Sequence, residues 1–466
     1  MGPQRFEMLV GLYGDGPVAD ILSEETMIRS WLRVEAALAM AQAEFGVLDR
    51  EHAEAIRVAS TLENIDTGQL WRETRNVGYP VLSLVRQLDA ALPERHRGYV
   101  HYGATTQDIM DSGLALQLSE AADRLAELLT RFGDAMAVLA ETHVRTVIAG
   151  RTHAQQAVPT TFGAKIAIYV GELARHRDRL AAARHRVALV SLFGAGGTSA
   201  AYGEKAVAIR SRVAELLGLA GTDVPWHAAR DGLAEFGLVC ALLSATGSRF
   251  AREVVDLSRT EIAEVSEASG HLRGASSTMP QKANPIEAEA VIGMGVTAGA
   301  LGSALFRVME AGHERAAGEW QAEWQVIPQL VSLAAGSLAT AASIAAGLRV
   351  FPDAMRRNLN ADGGLVMAEA YMMRLAPHLG RESAHALVYD AAQRSRETGE
   401  ALADVLRARL PGDIAASIGE GLAPESYVGR PEDTVNAALA TWRGQGGRCE
   451  PTDKPTDKPT DKEVRQ

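Results

Sequence analysis

Cysteine is almost missing: Cys240 and Cys449 are the only two in 466 residues. Two thiols so far apart exclude a disulfide framework and a thiolate metal site, and point to a reducing compartment. Aromatic side chains make up only 5 %, and apolar–polar alternation bounded by turns is scarce, which argues against a large sheet. An excess of positive charge is lacking as well. The net charge of −11 argues against a general nucleic-acid or anionic-membrane binder, while an anionic small substrate stays open because local fields in a pocket decide that. The opening MGPQRFEMLVGLYGDG lacks the basic start and apolar run of a secretion signal. Phe6 stands where a myristoylation signal needs Ser or Thr, so the expected location is cytoplasmic.

Hydrophobic residues at 47 % and charged residues at 23 % describe an ordinary folded chain. Trp31, Val34, Leu38, Ala41 and Phe45 recur at helical spacing, with Ser23 as a start signal and Gly46 as a stop. Long Ala- and Leu-rich stretches follow at about 112–147, 161–190, 229–268, 286–309 and 329–348, so the expected fold class is all-α. The chain divides into an N-terminal helical domain (1–111), a central helix-bundle domain (112–351) and a C-terminal helical domain (352–443). A tail (444–466) repeats PTDK three times and has nothing to bury, which reads as disorder. Trp324 to Leu348 carries no charge, but Pro328, glutamines and small residues interrupt it, and no second comparable span is evident. A buried bundle helix is expected there, not a membrane span. Helices this long and this poorly charged need partners to cover them, so self-association is expected.

The most informative segment is Gly274-Ala-Ser-Ser-Thr-Met-Pro-Gln-Lys-Ala-Asn-Pro285. Asn284 reads as a helix N-cap and Pro285 as a first helical residue. A helix N-terminus offers free N–H groups and partial positive charge to an anion, and Lys282 adds a full charge beside it. The loop before it carries Ser276 and Ser277 among small neighbours and could close over a bound anion. Glu289 falls in the first turn of that helix.

This segment resembles the signature loop of the aspartase/fumarase superfamily, Gly-Ser-Ser-x-Met-Pro-x-Lys-x-Asn-Pro. Tyr102-Gly-Ala-Thr-Thr-Gln-Asp108 is similar to the Gly-Ala-Thr-Ser-x-Asp turn of adenylosuccinate lyases and 3-carboxy-cis,cis-muconate cycloisomerases. Gly150-Arg-Thr-His-Ala-Gln-Gln156 is similar to their Arg-Thr-His segment. The likeness to the cycloisomerase branch continues through Glu314-Arg-Ala-Ala-Gly-Glu-Trp320 with Trp324, and through Gly364-Leu-Val-Met-Ala-Glu-Ala370. It spans about residues 10–440.

The resemblance implies three helical domains around a central bundle and an anti β-elimination on a succinate-like skeleton, with no metal and no organic cofactor. It further implies a homotetramer whose sites are shared between subunits. By the match, Ser276 is the base; a hydroxyl is a poor base, so its alkoxide needs loop N–H groups and nearby cations. Lys282, Asn284 and the helix tip would stabilise the dianionic aci-carboxylate. His153, paired with Glu289, would assist departure on the opposite face. Thr105, Thr106, Gln107 and Thr152 are short hydrogen-bonding side chains suited to orienting carboxylates, and Ser277 and Met279 share the loop.

Each residue also has a plain reading. Without the resemblance His153 is a structural histidine and Glu289 a helix-start acid. The Thr105–Asp108 run reads as a helix cap, with Thr106 or Asp108 as the capping residue. His101 matches a histidine of adenylosuccinate lyases or is structural; Asn76 orients a carboxylate or only turns the chain; Arg315 clamps a carboxylate or lies on the surface. Phe193-Gly-Ala-Gly-Gly-Thr198 reads as a turn, because no Gly-Lys-Ser/Thr follows.

The chain departs from the pattern at Ala275, which replaces a Gly, and at Gln281 and Ala283, where relatives often carry His and Arg. Gly14-Asp-Gly-Pro17 lacks the Arg-Tyr pair with which adenylosuccinate lyases grip a phosphate. Fewer cations favour a four-carbon dicarboxylate, with nitrosuccinate going to fumarate and nitrite as the leading expectation. Muconate lactonisation, an adenylosuccinate- or aspartate-type C–N lyase and a silent crystallin-like scaffold are the alternatives.

Overall fold

The computed structural model describes residues 8–419 and 421–444; the PTDK repeats and Cys449 lie outside the described residues. The fold is all-α as expected, with 69 % of the chain helical. The first part holds α1 (Met8–Tyr13), α2 (Gly16–Ile21), α3 (Glu24–Glu44), α4 (Arg50–Ala59), α5 (Thr67–Val77) and α6 (Val81–Ala91). The central part holds α7 (Thr106–Thr142), α8 (Phe162–Val187), α9 (Ala206–Leu217), α10 (Asp231–Leu257), α11 (Ile286–Val308) and α12 (Glu319–Gly347). The last part holds α13 (Pro352–Leu359), α14 (Ala368–Leu379), α15 (Arg381–Thr398), α16 (Leu402–Arg409), α17 (Gly412–Ile418) and α18 (Pro431–Trp442).

Local signals explain most boundaries. Ser23 caps α3 by accepting from the Thr26 N–H, and Gly46 takes the left-handed conformation just beyond its end. The apolar stripe of α3 is buried at Trp31, Val34, Leu38 and Ala41, whereas Phe45 at the C-cap is 36 % exposed. Pro328 lies inside α12 instead of starting a helix after it. The helix therefore begins ten residues earlier than the sequence pattern indicates, at Glu319.

The long helices α7, α8, α10, α11 and α12 pack side by side around Phe132, Phe250, Leu243, Ile327 and Leu330, none more than 1 % exposed. Burying one such side chain contributes about 1.5–3 kcal/mol. Small residues let these helices approach closely: a Cβ on Gly295 of α11 would stand 2.5 Å from Ser248 Cβ of α10. A second core joins α3, α4 and α6 to α9, through Ile28, Leu38, Ile56, Leu84 and Ile209. A third gathers α14, α15 and α16 around Tyr371, Leu375 and Leu402, and it includes Ala149 from a hairpin. α18 returns to the central core, where the Trp442 indole donates to Asp134 at 2.8 Å and Arg177 lies over its ring.

One expectation needs correction. Three helices, α10, α11 and α12, are long and apolar enough to cross a membrane by length and composition, not one. In α12, 72 % of the apolar window is covered by the rest of the chain, against 33 % in α11. The Arg-Thr-His segment lies between two of the expected helical stretches. It forms an antiparallel hairpin of β1 (Val147–Thr152) and β2 (Gln155–Thr161), turning at His153-Ala154, both with positive φ. A further pair, β3 (Val265–Ser266) and β4 (Arg349–Val350), ties the end of α12 to the segment after α10.

Candidate active site

The turn that opens α7 is built from within. Thr105 is the N-cap, and its side chain and that of Asp108 close a reciprocal capping box; the cap is Thr105, not Thr106 or Asp108. Asp108 is fully buried. Beyond the Thr105 N–H it accepts from the Phe193 and Gly194 N–H groups, each at 2.9 Å, and pairs with His227 Nε2 at 2.8 Å. The glycine-rich 193–198 segment is thus a turn whose amides hold a protein carboxylate. Arg315 reaches this turn from 208 residues away: its Nε donates to Gln107 Oε1 at 2.9 Å and its Nη2 to Thr105 Oγ1 at 3.1 Å. Gln107 is fixed in turn by donating to the His227 carbonyl. Arg315 therefore presents a partly exposed guanidinium beside Thr105 and Thr106, a geometry fit for a carboxylate.

The loop before α11 is closed by few contacts. Gly274 has φ +68°, and a Cβ there would meet the Asn284 carbonyl oxygen at 2.4 Å, so only glycine fits. Asn284 N–H donates to the Gly274 carbonyl at 2.8 Å, and Ala275 pairs with Ala283 across the neck. Ser276 Oγ accepts from the Met279 N–H at 3.1 Å and the Thr278 N–H at 3.3 Å. Two amide dipoles thus point at this hydroxyl oxygen, which lowers the energy of an alkoxide there. Ser277, Met279 and Lys282 are exposed, and among the described residues Lys282 enters no ion pair.

The tip of α11 differs from expectation. The helix begins at Ile286, and Pro285, not Asn284, holds the N-cap position without a side-chain cap. Its free N–H groups are already taken: the Glu267 carboxylate accepts from Ala288 at 2.7 Å and from Glu287 at 3.4 Å. Glu267 comes from β3's end, and burial raises the pKa of its carboxyl despite those two N–H bonds. The helix dipole therefore serves an internal carboxylate, Glu267.

His153 and Thr152 sit exposed at the hairpin tip. The hairpin is anchored by Arg151, which forms a bidentate pair with Glu264 at 2.7 and 2.9 Å. Glu264 also accepts from Asn358 at 2.7 Å. Glu289 is likewise exposed, and among the described residues no ion pair or side-chain hydrogen bond joins it to His153 within one chain. Asn76 lies exposed near the end of α5. Close to it, Tyr79 stacks on Trp320, at the edge of a cavity of about 290 Å³ that Trp31, Trp71, Trp320 and Trp324 help to line. Neither Ser276, Lys282 nor His153 lines that cavity. His101 is half-buried, in the left-handed region, with Nδ1 2.6 Å from Glu35 Oε1.

Several supporting residues escaped sequence reasoning: Glu35, Glu264, Glu267, Tyr202 and His227. For Glu35 a signal existed, since it is a carboxylate on the apolar face of α3, next to Val34. Among the described residues no cluster of three or more His, Cys, Asp or Glu side chains is arranged to hold a metal.

Comparison with known proteins agrees with this architecture. Residues 18–298 match the family model described as "Lyase", and residues 364–438 match "Adenylosuccinate lyase C-terminus". The chain is 40 % identical to a 3-carboxy-cis,cis-muconate cycloisomerase of Pseudomonas aeruginosa, over 93 % of this chain and 96 % of that one. It is 36 % identical to a nitrosuccinate lyase of Streptomyces davaonensis, over 91 % and 92 %. The crystal structure of a 3-carboxy-cis,cis-muconate lactonizing enzyme from Pseudomonas putida superposes with a TM-score of 0.88 at 35 % identity, covering 94 % of this chain and 99 % of that one. With three motifs in order, a helical bundle behind them and relatives matched along nearly their whole length, the chain belongs to the aspartase/fumarase superfamily of lyases, in its cycloisomerase-like branch.

Proposed function

We propose that the chain catalyses a cofactor-free anti β-elimination from a 2-substituted succinate to give fumarate, with nitrosuccinate as the specific substrate and nitrite as the leaving group. The observation that carries this reading is the Ser276 hydroxyl, which accepts two backbone N–H groups on an otherwise exposed loop. Those donors stabilise the alkoxide that takes a proton from the carbon beside a carboxylate. Charge passing onto that carboxylate would be met by Lys282 and Asn284. The second carboxylate would rest on Arg315 and the Thr105–Thr106–Gln107 turn, with His101, Asn76, Thr152, Ser277 and Met279 around the substrate. His153, supported by Glu289, would assist the leaving group.

Sharing of each site between subunits would let His153 and Glu289, which do not pair within one chain, meet across a subunit boundary. A homotetramer would also cover Val138, Ile168, Val296 and Phe306, which are 59–67 % exposed on α7, α8 and α11. A cytoplasmic location fits a cofactor-free metabolic lyase with a buried thiol at Cys240.

The lactonising reaction on 3-carboxy-cis,cis-muconate is a second reading, supported at least as well by the 40 % identity to a cycloisomerase. It uses the same proton-transfer groups. Incubation with nitrosuccinate, following fumarate absorbance and released nitrite, tests the first reading. Parallel turnover of 3-carboxy-cis,cis-muconate to its lactone, without fumarate from nitrosuccinate, would replace it with the second.

A further inference from the structure

Helix α3 places one carboxylate on the face it buries. Glu35 is 1 % exposed. Its Oε1 lies 2.6 Å from His101 Nδ1, and its Oε2 is buried with no hydrogen-bond partner. A carboxylate removed from water on those terms needs a cation beside it or must take up a proton. The only side chain hydrogen-bonded to it among the described residues is the imidazole.

The groups facing this pair are few. Asp108 of α7 adds negative charge, but it is already matched by three backbone N–H groups and His227. From the segment before α9 comes Tyr202, whose buried hydroxyl has no partner and is held protonated by burial and by the charges of Asp108 and Glu35. Gln42 spends its side-chain amide on the Tyr102 carbonyl at 2.7 Å. For His101 itself, burial opposes protonation. The Glu35 charge and hydrogen bond, with Asp108 adding, outweigh it and raise the pKa of the imidazole. His101 holds a left-handed backbone (φ 62°) four residues before Thr105, on the turn that Arg315 braces. Its Nε2 makes no hydrogen bond among the described residues.

We propose that Glu35 is a positioning residue of this site: it clamps His101 through Nδ1, so that Nε2–H is offered as a charged donor to an anionic group of the substrate. Glu35 does not touch substrate. It fixes the orientation of the ring and which nitrogen faces outward, and it retains the proton on the imidazole. The substrate contact rests on the function proposed above; the Glu35–His101 pair does not.

Both parts can be separated by experiment on the full-length enzyme. Histidine C2–H exchange followed by mass spectrometry reads the titration midpoint of each histidine without any substrate. In the unaltered enzyme, the His101 midpoint is expected above the ordinary histidine value. A midpoint at or below the ordinary value overturns the proposal outright, whether or not any variant folds. In E35Q, the His101 midpoint should fall to the ordinary histidine value or below, while the His176 midpoint stays in place as a check on folding. E35D should recover part of the shift. An unchanged His101 midpoint in folded E35Q also overturns it. With a turned-over substrate, the alkaline limb of kcat/KM should move to lower pH in E35Q and partly return in E35D, whereas a merely structural role would lower the rate without moving the limb. If neither fumarate nor lactone forms in any variant, the functional reading fails while the exchange result still judges the pair.

Discussion

The turn that opens α7 and the loop that precedes α11 both carry site residues, yet they are held in opposite ways. At the α7 turn most of the polar groups are paired: Thr105 caps, Gln107 and Asp108 are buried and bonded, and Arg315 is braced on Thr105 and Gln107. At the α11 loop the neck is pinned by Gly274–Asn284 and Ala275–Ala283, while Ser277, Met279 and Lys282 face outward. A rigid half can fix a carboxylate in place, because its donors need no reorganisation when the charge arrives. A loop with few buried contacts has low local stability and can change shape around a ligand. Under the function proposed above, orientation would fall to the first half and proton transfer to the second.

The strongest way to break that contrast is at Ser276. S276A removes the proposed base from a side chain that packs against little, so turnover should fall roughly a hundred- to ten-thousand-fold with no change in melting temperature. Full activity in S276A would reassign the base. On the braced half, R315A should act on binding. A charged hydrogen bond to a carboxylate contributes about 1.5–3 kcal/mol, so KM should rise roughly 10- to 100-fold while kcat changes less. R315K should recover little, because one ammonium cannot keep both Gln107 and Thr105 and still face the substrate. A large kcat effect with unchanged KM would instead place Arg315 at the developing charge.

Asp108 separates structure from chemistry on the same turn. Leaving a buried donor without its acceptor costs about 1–3 kcal/mol, and Asp108 serves three backbone N–H groups, so D108A should lower the melting temperature markedly and loosen Arg315 along with the cap. The equivalent cut on the other half, through Ser277, should leave stability untouched. Circular dichroism melts of the two variants compare the halves directly.

How much of this could be read in the chain depends on the range of each contact. The stripe of α3 and the Ser23 cap are local, and local spacing reveals them; at α7 the spacing shows that a helix is capped in the Thr105–Asp108 run but not that Thr105 is the cap. The motif residues are legible as identities because their order is distinctive. Their partners are not. Arg315 meets Gln107 across 208 residues, and no pattern in either segment announces the other. The hairpin at His153 was hidden because its turn is His-Ala, not the Asn-Gly or Asp-Gly that marks a two-residue turn. Its strand Gln155–Thr161 even contains Pro159. The three-helix apolar excess became visible only with the helix boundaries, since α10 and α11 carry scattered charges that mask their length.

Glu267 supplies the smallest effect and the sharpest test of why the α11 tip is not free for substrate. Its carboxylate accepts from Ala288 and Glu287, yet burial leaves its pKa raised above the ordinary 4.5. A carboxyl whose folded value lies above its unfolded one binds its proton more tightly when folded. Its contribution to stability is therefore fullest below the unfolded value, falls as pH rises between the two values, and is constant above both. E267Q keeps one oxygen acceptor, enough for the shorter bond from Ala288, and cannot ionise. Relative to the unaltered chain, E267Q should thus gain stability on passing from about pH 4 to pH 8, by a few degrees of melting temperature at most, and the gain should stop once pH passes the folded value. If E267Q instead loses ground as pH rises, the ionised carboxylate is favoured at the helix tip, and the dipole of α11 outweighs the cost of burying the charge.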